Sequence, residues 1–273
     1  MNFSFVDPWH RFLPRDGGHV IALCGSGGKT SLMTALAAWY VEEGIPLILS
    51  TTTRTEPLAE IPVADVGDPD GLIRCGDAPV FFLRSGQGEQ DKWMGIPPRD
   101  VDRLGDDYPE RLVLVETDGA GKRPLKLYRE NEPVWPARTS LALVVMGLDA
   151  LEEKAEDVVF RLGRPDCTPQ TELQAETRLT WDHYVELLAG PGGYLDQVPA
   201  GVPLVLVLAG MNDLADSIGL FDFMGKVMAD PRVPLVLFCE TSGEKPSFRT
   251  VCRLDEKFGE GVGIPEDGSE PPA

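Results

Sequence analysis

The sequence predicts an α/β fold, a largely parallel sheet flanked by helices with short strands inserted, on three observations. An apolar run at Val20 to Leu23 breaks at Gly25-Ser26-Gly27-Gly28, and Lys29-Thr30-Ser31 then opens an amphipathic, Ala- and Leu-rich segment reaching about Val41. That is the order strand, glycine loop, helix. Further apolar runs of strand length follow at Pro46 to Leu49, Arg111 to Asp118, Leu141 to Met146, Val202 to Leu208 and Pro234 to Cys239. Finally, 273 residues suffice to bury a sizeable core, read here as one main domain over residues 19–258.

The first strand and its loop fix the expected chemistry. A glycine loop leading into a helix aims several backbone N–H groups and the positive end of the helix dipole at one spot, and an anion supplies the missing acceptors. In the P-loop pattern, the lysine balances phosphate charge and the next hydroxyl ligates Mg²⁺, roles that fall to Lys29 and Thr30. Gly25, Ser26, Gly27, Gly28 and Ser31 complete the expected phosphate cradle. The match to G-x-x-x-x-G-K-[ST] is incomplete, because Leu23 stands where the first glycine belongs. A Gly-rich turn that binds nothing is the alternative.

The other elements follow in chain order. Residues 1–18 carry Phe3, Phe5, Trp9, Phe12 and Leu13 and read as a short arm packed across the main domain. Gly44 stops the first helix, and the second strand runs into Ser50-Thr51-Thr52-Thr53-Arg54-Thr55. If that strand pairs beside the first, Thr51 to Thr53 approach phosphate or Mg²⁺; otherwise their hydroxyls merely satisfy backbone at a strand end. Residues 56–110 read as short strands and loops inserted between core strands. The run RLVLVETD places Glu116 and Asp118 on one side of a strand end. Asp118 is the first candidate for a Mg²⁺ ligand and Glu116 the second; capping of the following turn is the other use of such an aspartate.

Farther along, Glu152 to Arg164 reads as a charged amphipathic helix whose Arg161 and Arg164 either reach phosphate or lie on a solvated face, the second being favoured. Thr171 to Leu188 reads as a second helix. The strand at Val202 to Leu208 ends in Ala209-Gly210-Met211-Asn212-Asp213, followed by a helix to about Met228. Residues 259–273, rich in Gly, Pro, Glu and Asp, read as a disordered tail.

Composition excludes several classes. With 44 acidic against 25 basic residues the formal charge is −19, a field that repels nucleic acid and anionic membranes. The five cysteines are odd in number, widely spaced and form no CxxC, as expected of reduced thiols. No leader or spanning run is evident, so the expected location is cytoplasmic.

Four blocks in order, GSGGKTS, STTTRT, LVLVETDGAGKRPLK and NEPVWP, resemble the YqeC-type proteins, described as accessory proteins of selenium-dependent molybdenum hydroxylase maturation. The resemblance runs from His19 to about Asp213. It implies a P-loop NTPase-like protein that binds ATP or GTP with Mg²⁺, in a pathway whose further partners are a molybdenum cofactor or a molybdenum hydroxylase. The loop is also similar to that of Mur-type ATP-dependent ligases. Related sequences carry an Asn-Lys-x-Asp-like block where this chain has Gly210-Met211-Asn212-Asp213, so of the guanine-reading set only Asp213 remains. The expected function is an Mg²⁺-dependent nucleoside triphosphatase or a phosphoryl- or nucleotidyl-transferring enzyme with Lys29, Asp118 and Glu116 at its centre. A Mur-like amide ligase and a non-enzymatic nucleotide-gated chaperone are the rivals.

Overall fold

The computed structural model describes residues 12–58, 60–169, 171–210, 217–240 and 247–252. A nine-stranded sheet forms its middle layer. In chain order the strands are β1 (Val20–Gly25), β2 (Leu47–Thr51), β3 (Val63–Asp65), β4 (Val80–Arg84), β5 (Leu112–Glu116), β6 (Thr139–Gly147), β7 (Leu204–Ala209), β8 (Leu235–Glu240) and β9 (Ser247–Cys252). Across the sheet they lie in the order β9-β8-β7-β6-β1-β5-β2-β4-β3. Neighbours are parallel except β9, which pairs antiparallel with β8 at one edge.

Every residue of β1, β2, β5 and β7 is buried, so apolar layers must cover both faces of the sheet. Side chains alternate between those layers. Ile21, Leu23, Leu47, Leu49, Leu112 and Leu114 pack with Leu32, Met33, Leu36 and Tyr40 of helix α1 (Lys29–Glu42). On the opposite face, Ala22, Ile48, Val113 and Val115 meet α2 (Pro69–Gly76) and α3 (Pro98–Asp107) through Cys75, Val101 and Leu104. The same face over β6 to β8 carries α4 (Trp181–Ala189) and α5 (Ser217–Ala229), whose Trp181, Tyr184 and Phe223 stack on one another.

From β1 the chain moves outward to β2, β3 and β4, returns to lay β5 directly against β1, and then crosses to β6 on the other side. Winding direction thus reverses at β1, and ligand crevices of open parallel sheets lie beyond the carboxyl ends of strands at such a point. The glycine loop sits there.

Several sequence expectations need correction. The second strand does not lie beside the first, because β5 stands between β1 and β2. Residues 56–110 are not only an insertion: β3 and β4 extend the main sheet, with α2 and α3 on one face. The inserted part is a three-stranded sheet of Arg54–Thr55, Gly86–Gln87 and Trp93–Met94. The helix expected from Glu152 to Arg164 is a single turn, Ala155–Val158, because Val159–Phe160 leaves it to pair in parallel with Leu125–Lys126. Arg161, at φ 68°, then turns the chain. The second expected helix begins only at Trp181, where Thr180 and His183 form a capping box. In the arm, Leu13 is buried and Pro14 accepts a hydrogen bond from the Tyr40 hydroxyl; Phe3, Phe5 and Trp9 lie outside the described residues, as does the tail over 259–273. Cys24, Cys75, Cys167 and Cys239 are buried and joined in no disulfide. Among the described residues, no helix is long and apolar enough to cross a membrane.

Candidate functional site

The loop between β1 and α1 is built from three glycines of positive φ, 98° at Gly25, 77° at Gly27 and 121° at Gly28. A Cβ on Gly25 would stand 2.1 Å from the Val145 carbonyl oxygen, so only glycine lets the loop press against β6. The Ser26 hydroxyl is buried beneath the loop, donating to the Pro124 carbonyl at 3.0 Å and lying 2.9 Å from the Tyr194 hydroxyl. The N-cap, Gly28, has no side chain to accept from the first turn, and that turn contains no acidic residue. The first N–H groups of α1 therefore keep their need for an acceptor, at the positive end of the dipole.

Behind the loop runs a chain of alternating buried charges. Lys29 folds inward, 4% exposed, donating to the Gly25 carbonyl at 2.5 Å, and its Nζ lies 3.4 Å from Glu116 Oε1 and 3.1 Å from Asp118 Oδ1. Asp118 is wholly buried. Its Oδ2 accepts from the Gly25 N–H and from Lys126 Nζ, both at 3.0 Å, while Oδ1 faces the Lys29 ammonium at 3.1 Å. Lys126, also without exposure, further donates to the Gly119 carbonyl at 2.8 Å and to Glu132 Oε2 at 3.1 Å, and rests over the Tyr128 ring. Glu132 in turn takes two bonds from the Arg161 guanidinium, at 2.6 and 2.8 Å.

The electrostatics follow from this order. Burial alone would lower the Lys29 pKa, but Asp118 and Glu116 together hold it above the ordinary lysine value. Burial pushes the Glu116 carboxyl above its usual range in spite of Lys29. For Glu132 burial also acts upward, yet the Arg161 bonds and the Lys126 charge win and hold it below that range.

Over the loop opens a cleft of about 870 Å³. Gly27 to Ser31 form one wall, Thr53 to Glu56 and Lys92 a second, and Glu116, Gly119 to Arg123, Arg129, Glu132, Phe160 and Arg161 the rest. Seven lysines and arginines line it against three glutamates. In a chain of formal charge −19 this is a local inversion of sign, and a concave wall focuses it.

Residues 21–163, which contain the loop, the buried charges and Arg161, match the family model described as YqeC protein. The chain belongs to the YqeC family. A relative from Escherichia coli (strain K12), described as "Uncharacterized protein YqeC", is 31% identical over 186 residues, covering 67% of this chain and 72% of the relative. No solved structure matches the chain.

Within this YqeC chain the sequence-predicted residues divide by position. Gly27, Gly28, Lys29, Thr30, Ser31, Thr53 and Glu116 line the cleft. Gly25 and Ser26 lie beneath it as loop supports. Thr51 and Thr52 are turned away, their hydroxyls donating to the Glu116 and Val134 carbonyls at 3.0 and 2.9 Å. That is the backbone-satisfying reading of the threonine run, and it follows from β5 separating β2 from β1. Asp118, preferred over Glu116 as a metal ligand on the sequence alone, is the one carboxylate of the pair that does not reach the cleft surface. Arg161 is a further correction: it is not on a solvated helix face but fixed against Glu132 in the cleft wall. Arg164 is half exposed beside Asp166. Asp213 lies outside the described residues.

Sequence reading assigned no role to Lys126 or Glu132. The available signal was a lysine set between Leu125 and Leu127 in a short apolar run, where a charge is expensive unless it is paired.

Proposed function

We propose that this YqeC protein is an Mg²⁺-dependent ATP- or GTP-binding protein, a nucleoside triphosphatase or a phosphoryl- or nucleotidyl-transferring enzyme of molybdenum cofactor maturation. The observation that carries the reading is the uncapped, three-glycine loop opening into a cationic cleft at the reversal point of a parallel sheet. Anions meet free N–H groups there, at the positive end of a helix dipole. The selenium and molybdenum setting rests on the family resemblance alone.

In this reading the phosphates lie along Gly27 to Thr30, and Lys29 leaves its carboxylates to reach them. Lys126 then remains beside Asp118, so the buried aspartate keeps a counterion throughout. The oxygen donors facing the cleft suit a small hard cation, which takes one or two protein groups and completes its shell with water and phosphate. Thr30 and Glu116 would hold Mg²⁺ at the cleft surface, and Asp118, the sequence-based choice, would join them through the Oδ1 that Lys29 releases. Bound Mg²⁺ would neutralise phosphate charge as a bond to phosphorus breaks.

Calorimetric titration with ATP and GTP, in Mg²⁺ and in chelator, tests this directly. Lys29→Ala should weaken binding at least about tenfold, since a charge-assisted contact is worth about 1.5 to 3 kcal/mol. Because Lys29 is also a buried counterion, circular dichroism must show the variant folded. Equal affinities for folded parent and variant, or no binding by the parent, would remove the reading.

A further inference from the structure

The cations of the cleft are more numerous, and more widely spread, than one nucleotide at the loop requires. Lys29 and the end of α1 belong to the loop. The facing wall comes from two other segments, residues 119–132 and 160–161, and holds Lys122, Arg123, Arg129 and Arg161. Its charge is under-neutralised in a regular way. Glu132 is shared by Arg161 and Lys126, Asp166 by Arg129 and Arg164, and Glu56 by Lys122 and Lys92. Each carboxylate thus faces two cations. Arg123 is bonded to the Glu156 carbonyl oxygen, which carries no full charge.

Part of this wall, Arg161, is held in place by the protein itself. Arg161 is clamped by two bonds to Glu132, Glu132 by the buried Lys126, and Phe160 lies under the Arg161 guanidinium, 4.7 Å from ring to charge. Gly121 passes so near Phe160 that a Cβ there would come within 2.8 Å of the ring. A pre-positioned cation loses little conformational freedom on binding, which favours recognition of an anion over accidental surface charge. The cleft, at about 870 Å³, lies near the upper end of the roughly 300 to 1,000 Å³ that single-ligand sites span.

We propose that the wall formed by Arg123, Arg129 and Arg161 binds a second anion while the glycine loop holds nucleotide, and that this anion is the phosphate or carboxylate group of a small-molecule substrate. The assignment rests on the nucleotide reading for the occupant of the loop. A small molecule is favoured over a polyanion because the net charge of −19 repels a long anionic chain, whereas a single anionic group can enter the basic cleft.

The test titrates inorganic pyrophosphate into protein saturated with a non-hydrolysable ATP analogue and Mg²⁺. One further equivalent should bind. The double variant Arg123→Ala, Arg129→Ala, both on exposed or half-exposed positions, should weaken pyrophosphate at least about tenfold and the analogue by less than about threefold. Absence of pyrophosphate binding with the analogue in place would overturn the proposal. So would an equal loss of both ligands, which would give these arginines to the nucleotide phosphates, or no loss of either. If the analogue itself fails to bind, the nucleotide reading falls, and pyrophosphate is titrated into the free protein. Weakening by the arginine variant but not by Lys29→Ala then supports the second site, and the reverse overturns it.

Discussion

Lys126→Met asks whether the buried charge chain holds the site together. Methionine keeps the unbranched stem and much of its packing, but removes an ammonium that bonds Asp118, Glu132 and the Gly119 carbonyl at 3.0, 3.1 and 2.8 Å. Removing one partner of a buried ion pair costs about 3 to 5 kcal/mol, because the other charge stays behind unpaired. Here Asp118 retains Lys29 and the Gly25 N–H, and Glu132 retains Arg161, so the lower end, about 3 kcal/mol, is expected. For a chain of this size that lowers the melting temperature by roughly 6 to 12 °C. Thermal and urea unfolding read it. The double variant Lys126→Met, Asp118→Asn separates charge from packing, since the second change removes the anion the first strands. It should recover at least about 1 kcal/mol relative to additivity. A melting shift below about 2 °C, or strictly additive effects, would show that the chain of charges is not what fixes this loop.

Two further outcomes follow from the same geometry. Glu132 has a folded-state pKa below its ordinary value, so it contributes stability above the ordinary carboxylate range that is lost as pH falls through the folded value. Glu132→Gln should therefore melt below the parent at pH 7, with the gap narrowing as pH falls below about 5; a gap constant across that range would contradict the ion-pair origin. Gly25→Ala would drive a Cβ to 2.1 Å from the Val145 carbonyl at a φ of 98°. It should lower the melting temperature and weaken calorimetric binding of ATP and GTP together; an unchanged melt and affinity would mean that the loop is not wedged against β6.

The legible parts of the fold were those written in local pattern. Val20 to Thr30 names its strand, loop and helix because glycine freedom, apolar burial and helix propensity act over adjacent residues. Long-range order was not legible. Nothing in Pro46 to Thr55 says that a strand encoded some sixty residues later, at Leu112–Glu116, will wedge in beside β1, and that insertion turns Thr51 and Thr52 from candidate ligands into backbone partners. Arg161 failed for a related reason. A charged stretch with helical spacing was read as a surface helix, but pairing of Val159–Phe160 with Leu125–Lys126 won over the local helix preference and carried the arginine into the cleft. Lys126 and Glu132 were present in the blocks that reveal the YqeC family, yet burial, which gives them their roles, is set by tertiary packing.

The central claim, that the glycine loop is a nucleotide phosphate site, meets its most direct test in a crystal structure with an Mg²⁺-bound non-hydrolysable ATP analogue. Phosphate oxygens should lie against the backbone N–H groups of Gly27 to Thr30, with Lys29 Nζ moved from Asp118 and Glu116 to the phosphates and Lys126 still bonded to Asp118. Nucleotide bound only elsewhere, or bound at the cleft with Lys29 still held by its two carboxylates and no phosphate on the loop, would contradict it.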